Sequence, residues 1–188
     1  NTDFNVKKII FHPLMLPKEV ICDPSLTFDL PKKLTAGTGM DAFAHCLEAF
    51  SSNYYHPMAT GIAIEGMKVV KNNIFLAYNE PKNIFARSNM MSAALMGATS
   101  FQKGLGAIHA LSHSIGALFN THHGTTNAVI MPEVLKFNRE AIEEKITSIC
   151  SYLEIKNNFN GFLDLIYLLN DELNIPKSLK ELEIDENK

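Results

Sequence analysis

Four of the chain's seven histidines, His109, His113, His122 and His123, lie within one short stretch, Gly104 to Gly124. His109 and His113 are spaced i, i+4, so on a helix their rings stack on one face, about 6 Å apart along the axis. Gly106 and Gly116 share that face and leave room for something to approach the imidazoles. His122 and His123 follow Asn120-Thr121, a helix-stop signal, and precede Gly124, where the chain is expected to turn back. A histidine pair at this spacing is also common as a partly exposed polar pair. Several imidazoles gathered in small, apolar surroundings point instead to a divalent metal.

A second constellation stands sixty residues upstream, in Thr38-Gly39-Met40-Asp41-Ala42-Phe43-Ala44-His45. Asp41 and His45 are again i, i+4, and Met40, Phe43, Ala44 and Leu47 around them are apolar. A carboxylate on a buried face costs several kcal/mol unless it is paired. No Lys or Arg between Lys33 and Lys68 is at hand to pair it. Asp41 could cap the helix or pair locally with His45. Taken together with the downstream histidines, Asp41, His45, His109 and His123 offer one oxygen and three nitrogens. That donor set suits Fe(II) or Zn(II), without choosing between them, and does not suit the all-oxygen preference of Ca or Mg. His113 would then stand one turn from His109, placed to relay a proton.

These residues need helices to hold them. From Leu34 onward the pattern reads as successive helices over about 36–52, 58–78, 83–101, 107–119, 124–137, 139–152 and 159–172. The third is apolar on nearly all sides, which predicts a centrally buried helix whose methionines fill core space. Upstream, Lys8-Ile9-Ile10-Phe11 and Glu19-Val20-Ile21-Cys22 read as two short β-branched strands, which need further partners to be stable. The fold class expected is mainly α: a helical bundle preceded by two short strands.

Composition excludes several classes. The 188 residues are 46% hydrophobic and 20% charged, ample for a core, with net charge -3 and a pI near 6.2. No basic patch stands out, which argues against nucleic acid and anionic membrane surfaces. Apolar runs stop short of membrane-span length. Cys22, Cys46 and Cys150 are scattered, without CxxC spacing, so neither a disulfide framework nor a thiolate zinc site is indicated and a cytoplasmic protein is expected.

Other catalytic layouts fail. Gly37-Thr38-Gly39-Met40-Asp41-Ala42 fits the GxGxxA dinucleotide fingerprint, but no strand precedes it and its fifth position is the proposed metal carboxylate. No GxSxG elbow is present. His12 and His56 each precede a proline and read as surface polar residues, and Glu48 and Glu65 as helix-face carboxylates.

At Thr38–His45 and Gly104–Gly124, followed by Asn127-Ala128 and Pro132, the chain closely resembles the iron-containing (group III) alcohol dehydrogenases. Asp23-Pro24-Ser25-Leu26-Thr27 and Leu34-Thr35-Ala36 extend the likeness, which is tight from about Lys7 to Asn138. The resemblance implies that Asp41, His45, His109 and His123 hold Fe(II) or Zn(II), that His113 serves catalysis by proton transfer, and that Lys7, Leu26 and Leu30 line a nicotinamide cleft. It implies an NAD(P)-linked oxidoreductase acting on a small alcohol or aldehyde, the metal polarising the alcohol oxygen for hydride transfer. Residues 1–31 would be the remnant of an α/β cofactor-binding domain and 32–188 an all-helical metal-binding domain, incomplete at its C-terminus. The Gly-rich phosphate loop of the family is missing, so the partner would be an N-terminal domain outside this chain, or further copies in a homo-oligomer. The alternatives are a non-catalytic metal-binding helical fragment and a lyase of the dehydroquinate-synthase kind.

Overall fold

The computed structural model describes residues 12–182 and 184. Seven α-helices follow one another: α1 Lys32–Ser51, α2 Pro57–Asn79, α3 Ile84–Ser100, α4 Ala107–Phe119, α5 His123–Phe137, α6 Arg139–Cys150 and α7 Phe159–Glu172. Short 3-10 turns at Pro13–Met15, Pro24–Thr27, Phe101–Lys103 and Leu179–Leu182 complete the described secondary structure. All seven expected helices are present, with ends shifted by no more than four residues.

Local chemistry sets the helix ends. Helix α2 starts on the His56 side chain, whose Nδ1 accepts the Ala59 N–H at 3.2 Å, with Pro57 in the first turn. Asn83 caps α3 and Asn158 caps α7 in the same way. These caps satisfy N–H groups that the helix itself leaves unpaired. At the far end of α1 the Lys145 ammonium donates to the Ser51 and Ser52 carbonyls, both at 3.1 Å. Helix α4 closes on Asn120, which takes the left-handed conformation at φ 54°. The turn therefore falls at Asn120 and not at Gly124, which lies inside α5.

Helix α1 is the hub. It is buried on nearly every side and packs against α2, α3 and α5, while α5 also meets α4 and α7. Met40, Phe43, Leu47, Met67, Ile74, Met131, Phe162 and Ile166 are fully enclosed, and the Phe43 and Phe162 rings lie 6.2 Å apart. The expectation that α3 would be the central helix is wrong. Only Ala86, Arg87, Ala93, Gly97 and Ser100 of α3 are buried, whereas Phe85 and Leu95 are 67% and 42% exposed. Its small residues face α1 and α2 and let the backbones approach, which leaves Ile84, Phe85 and Leu95 outside. Counting apolar side chains without their sizes hides that asymmetry.

Nor is Glu19-Val20-Ile21-Cys22 a strand. These four residues are exposed, and among the described residues no backbone forms a ladder with them. A strand without a neighbour has nothing to hold it extended. The other expected strand, Lys8–Phe11, lies outside the described residues.

Two glycines bring the elements of the site together. A Cβ on Gly124 would come within 2.1 Å of the Gly37 carbonyl oxygen, so the first turn of α5 rests directly on α1. A Cβ on Gly97 would meet the His45 Cβ at 2.9 Å, which fixes how closely α3 approaches behind that histidine.

Candidate metal centre

Asp41 and His45 project from the middle of α1, His109 and His113 from α4, and His123 from the first residue of α5. Asp41 is nine residues past the start of its helix and does not cap it. The Asp41 Oδ1 lies 3.5 Å from His109 Nε2 and 3.4 Å from His123 Nε2. One donor atom from each of Asp41, His109 and His123 falls within 4.8 Å of the others. His45 stands at the border of this group: its Nδ1 is 3.8 Å from Asp41 Oδ2, and its ring centroid is 4.4 Å from that of His109. His113 adjoins the cluster, its ring 5.0 Å from His123 and 6.1 Å from His109.

The donor set fits a tetrahedral divalent ion. Donors on such an ion, with bonds of about 2.1 Å, lie about 3.4 Å apart, the separation seen between Asp41 and both imidazoles. The cluster is also well enclosed, with the His109 side chain 3% exposed and Asp41 25%.

Three residues that sequence reading passed over complete the arrangement. Glu48, read as a helix-face carboxylate, is buried, and it accepts hydrogen bonds from His109 Nδ1 at 2.6 Å and from the Ile108 N–H at 2.7 Å. Its signal was present, since Asp41, His45 and Glu48 at i, i+4 and i+7 form one stripe on α1. Gly106 makes the approach possible: a Cβ there would sit 2.8 Å from Glu48 Oε1. The space on that face is thus taken by a carboxylate rather than kept for an incoming group.

Asn127, fully buried, donates from Nδ2 to Asp41 Oδ1 at 2.7 Å and reaches within 3.3 Å of both His109 Nε2 and His123 Nε2. His123 and Asn127 repeat the i, i+4 spacing of the other pairs, which is where the sequence could have shown it. Ser112 Oγ lies 3.2 Å from His123 Nδ1. His122, next door, turns away to cap α5, its Nδ1 accepting the Thr125 N–H at 3.2 Å.

Electrostatics follow from this packing. For His109, burial favours the neutral ring, but hydrogen bonds to Asp41 and Glu48 and their negative charges outweigh it, raising the pKa to about 9. Burial also opposes the charged form of Asp41 and of Glu48. In both, the contact with His109 and neighbouring positive or N–H groups wins, and each carboxyl is held below its usual value. In His45 burial prevails over the attraction of Asp41 and the pKa falls. Titratable groups so strongly perturbed and so closely grouped mark a candidate functional site.

The expected cofactor residues are less gathered. Lys7 lies outside the described residues. Leu26 is 84% exposed. Leu30 lines a cavity of about 250 Å³ beside the first turns of α1, with Thr27, Thr35, Thr38, Arg87 and Met90. Helix α1 runs through the GxGxxA match unbroken, so those N–H groups are already committed to helical bonds and cannot cradle a pyrophosphate.

A family model described as "Fe-containing alcohol dehydrogenase family, C-terminal" matches residues 35–188, most of the chain and every residue of the cluster. The chain belongs to the iron-containing alcohol dehydrogenase family. Within it, the chain is 49% identical over 141 residues to a 4-hydroxybutyrate dehydrogenase of Cupriavidus necator, covering 72% of this chain and 37% of that protein. It is 33% identical over 194 residues to a 1,3-propanediol dehydrogenase of Citrobacter freundii, covering 99% and 50%. Among solved structures, an archaeal halo-thermophilic alcohol dehydrogenase from a Red Sea brine pool superposes with a TM-score of 0.92 at 26% identity, over all of this chain and 50% of that one. The chain spans about half the length of the family members it matches, or less.

Proposed function

We propose that this chain is the metal-binding helical part of an NAD(P)-linked dehydrogenase that interconverts a small alcohol and its aldehyde. In this reading residues 32–188 form the metal domain, and residues 1–31 end the cofactor domain. Support comes from the family membership, from relatives named for small alcohols and diols, and above all from one observation. Asp41, His109 and His123, on three separate helices, bring donor atoms within 4.8 Å of one another, with Asp41 Oδ1 at tetrahedral spacing from both imidazoles.

Asp41, His109 and His123 would hold Fe(II) or Zn(II), with His45 closing the set from one turn along α1. Such an ion supplies Lewis acidity, lowering the pKa of an alcohol oxygen toward neutrality. The nicotinamide supplies the redox chemistry by accepting a hydride. The remaining work falls to this chain's residues. Burial of His109 and partial burial of Asp41 and His123 would strengthen the charge interactions there. His113, beside His109 and His123 and only partly buried, would pass the alcohol proton toward solvent. Leu26, Leu30 and Lys7 would lie toward the nicotinamide.

The test is metal content. Asp41→Ala or His109→Ala should lower iron or zinc retained by the purified chain at least tenfold, while His56→Ala, which removes only the cap of α2, leaves it unchanged. Equal metal in all three variants would refute the assignment.

A further inference from the structure

We propose that Glu48 is a positioning residue that selects the metal-competent tautomer of His109. This rests on the metal reading above and adds to it a residue that touches neither the ion nor a substrate. Glu48 is buried, and its two oxygens face three donors: Oε1 takes the Ile108 N–H at 2.7 Å, and Oε2 takes His109 Nδ1 at 2.6 Å and the His109 N–H at 3.4 Å. An ionised carboxylate only accepts hydrogen bonds. It therefore requires a proton on Nδ1, and in the neutral ring that leaves Nε2 bare. Nε2 is the atom that faces Asp41 Oδ1 and the centre of the cluster.

The contrast with His123 sharpens the point. His123 Nδ1 meets the Ser112 hydroxyl at 3.2 Å, a neutral group that can donate or accept, whereas His109 Nδ1 meets a carboxylate. At His109 an acceptor-only group sets which nitrogen carries the proton. The carboxylate is itself locked in place. Gly106 at the N-cap of α4 has no side chain to satisfy the first N–H groups, so Glu48 does so from another helix. Its absent Cβ gives the carboxylate its room.

Glu48→Gln would disturb this arrangement. The amide keeps the shape but offers one acceptor and one donor. If its oxygen stays on the Ile108 N–H, its NH2 group faces His109 Nδ1. The ring must then accept there, moving its proton to Nε2, where it blocks a metal. The reverse orientation sets the NH2 group against the Ile108 N–H. Outer partners of metal-bound histidines typically change affinity by about 10–100-fold.

The experiment measures zinc affinity of the 188-residue chain by chelator competition, together with 15N NMR of His109 in the zinc-loaded state. Expected are an Nδ1-protonated His109 in the unaltered chain and zinc binding weakened about 10–100-fold in Glu48→Gln. Glu48→Asp, which keeps two acceptors, should retain the Nδ1 proton and recover part of the loss. Unchanged affinity in a folded Glu48→Gln overturns the proposal and leaves the metal site standing. If Glu48→Gln does not fold, the NMR of the unaltered chain still decides, because an Nε2-protonated His109 overturns it. Failure of the unaltered chain to bind zinc would refute the metal reading, and this proposal with it.

Discussion

At the scale of single residues, the centre depends on charge that burial makes expensive. Asp41 and Glu48 are carboxylates on one stripe of α1, and among the described residues no Lys or Arg pairs with them; His109 bridges the two. Its pKa of about 9, against 6.5 ordinarily, means that the folded chain holds this proton through neutral pH. That contribution to stability is complete below pH 6.5 and is lost as pH rises through about 9. A metal must displace the same proton from Nε2. Zinc binding at pH 7.5 should accordingly release close to one proton from His109, and affinity should rise with pH up to about 9. Calorimetry in buffers of different ionisation enthalpy checks this, and a binding enthalpy independent of buffer contradicts it. Asp41, His45, His109 and His123 could be picked out in the sequence because acid and imidazole types at i, i+4 are rare on apolar faces. Glu48 and Asn127 could not be picked out so readily. A glutamate or asparagine on a helix face is ordinary until the partner helix is known.

At the scale of elements, three helices would supply the donors, and one close approach sets α5 against α1. Gly124 seats α5 on α1 at the level of Gly37, one turn before Asp41. In Gly124→Ala the new Cβ would press on backbone rather than on a yielding side chain, so the start of α5 must move and take His123 with it. The variant should bind zinc at least tenfold more weakly, although no donor is altered, and should melt at lower temperature. Equal affinity in chelator competition would show that α5 has freedom the packing denies. The helices themselves were legible from periodicity and caps, to within a few residues at each end. The roles of α1 and α3 were not. Apolar content predicts burial, but the order of packing depends on where small and large side chains fall around each helix. In α3 the small ones face inward. The strand at Glu19–Cys22 failed for a related reason: β-branched composition states a preference, while a ladder needs a neighbour.

At the scale of the whole molecule, an ion held by α1, α4 and α5 would link segments more than eighty residues apart in sequence, such as Asp41 and His123. Binding of this kind stabilises the folded chain by mass action, about 2.7 kcal/mol when free metal exceeds its dissociation constant a hundredfold. Removing metal with a chelator should therefore lower the melting temperature by several degrees, and adding zinc or iron should restore it. A midpoint indifferent to metal would mean that the cluster is held together without one. Among the described residues no helix is long and apolar enough to cross a membrane, in keeping with the sequence.

The most direct measurement is anomalous scattering from crystals of the chain grown with zinc. A single strong peak is predicted among Asp41 Oδ1, His109 Nε2 and His123 Nε2, with His45 as the next imidazole in reach. An empty position there, or zinc bound elsewhere on the chain, would contradict the account at its centre.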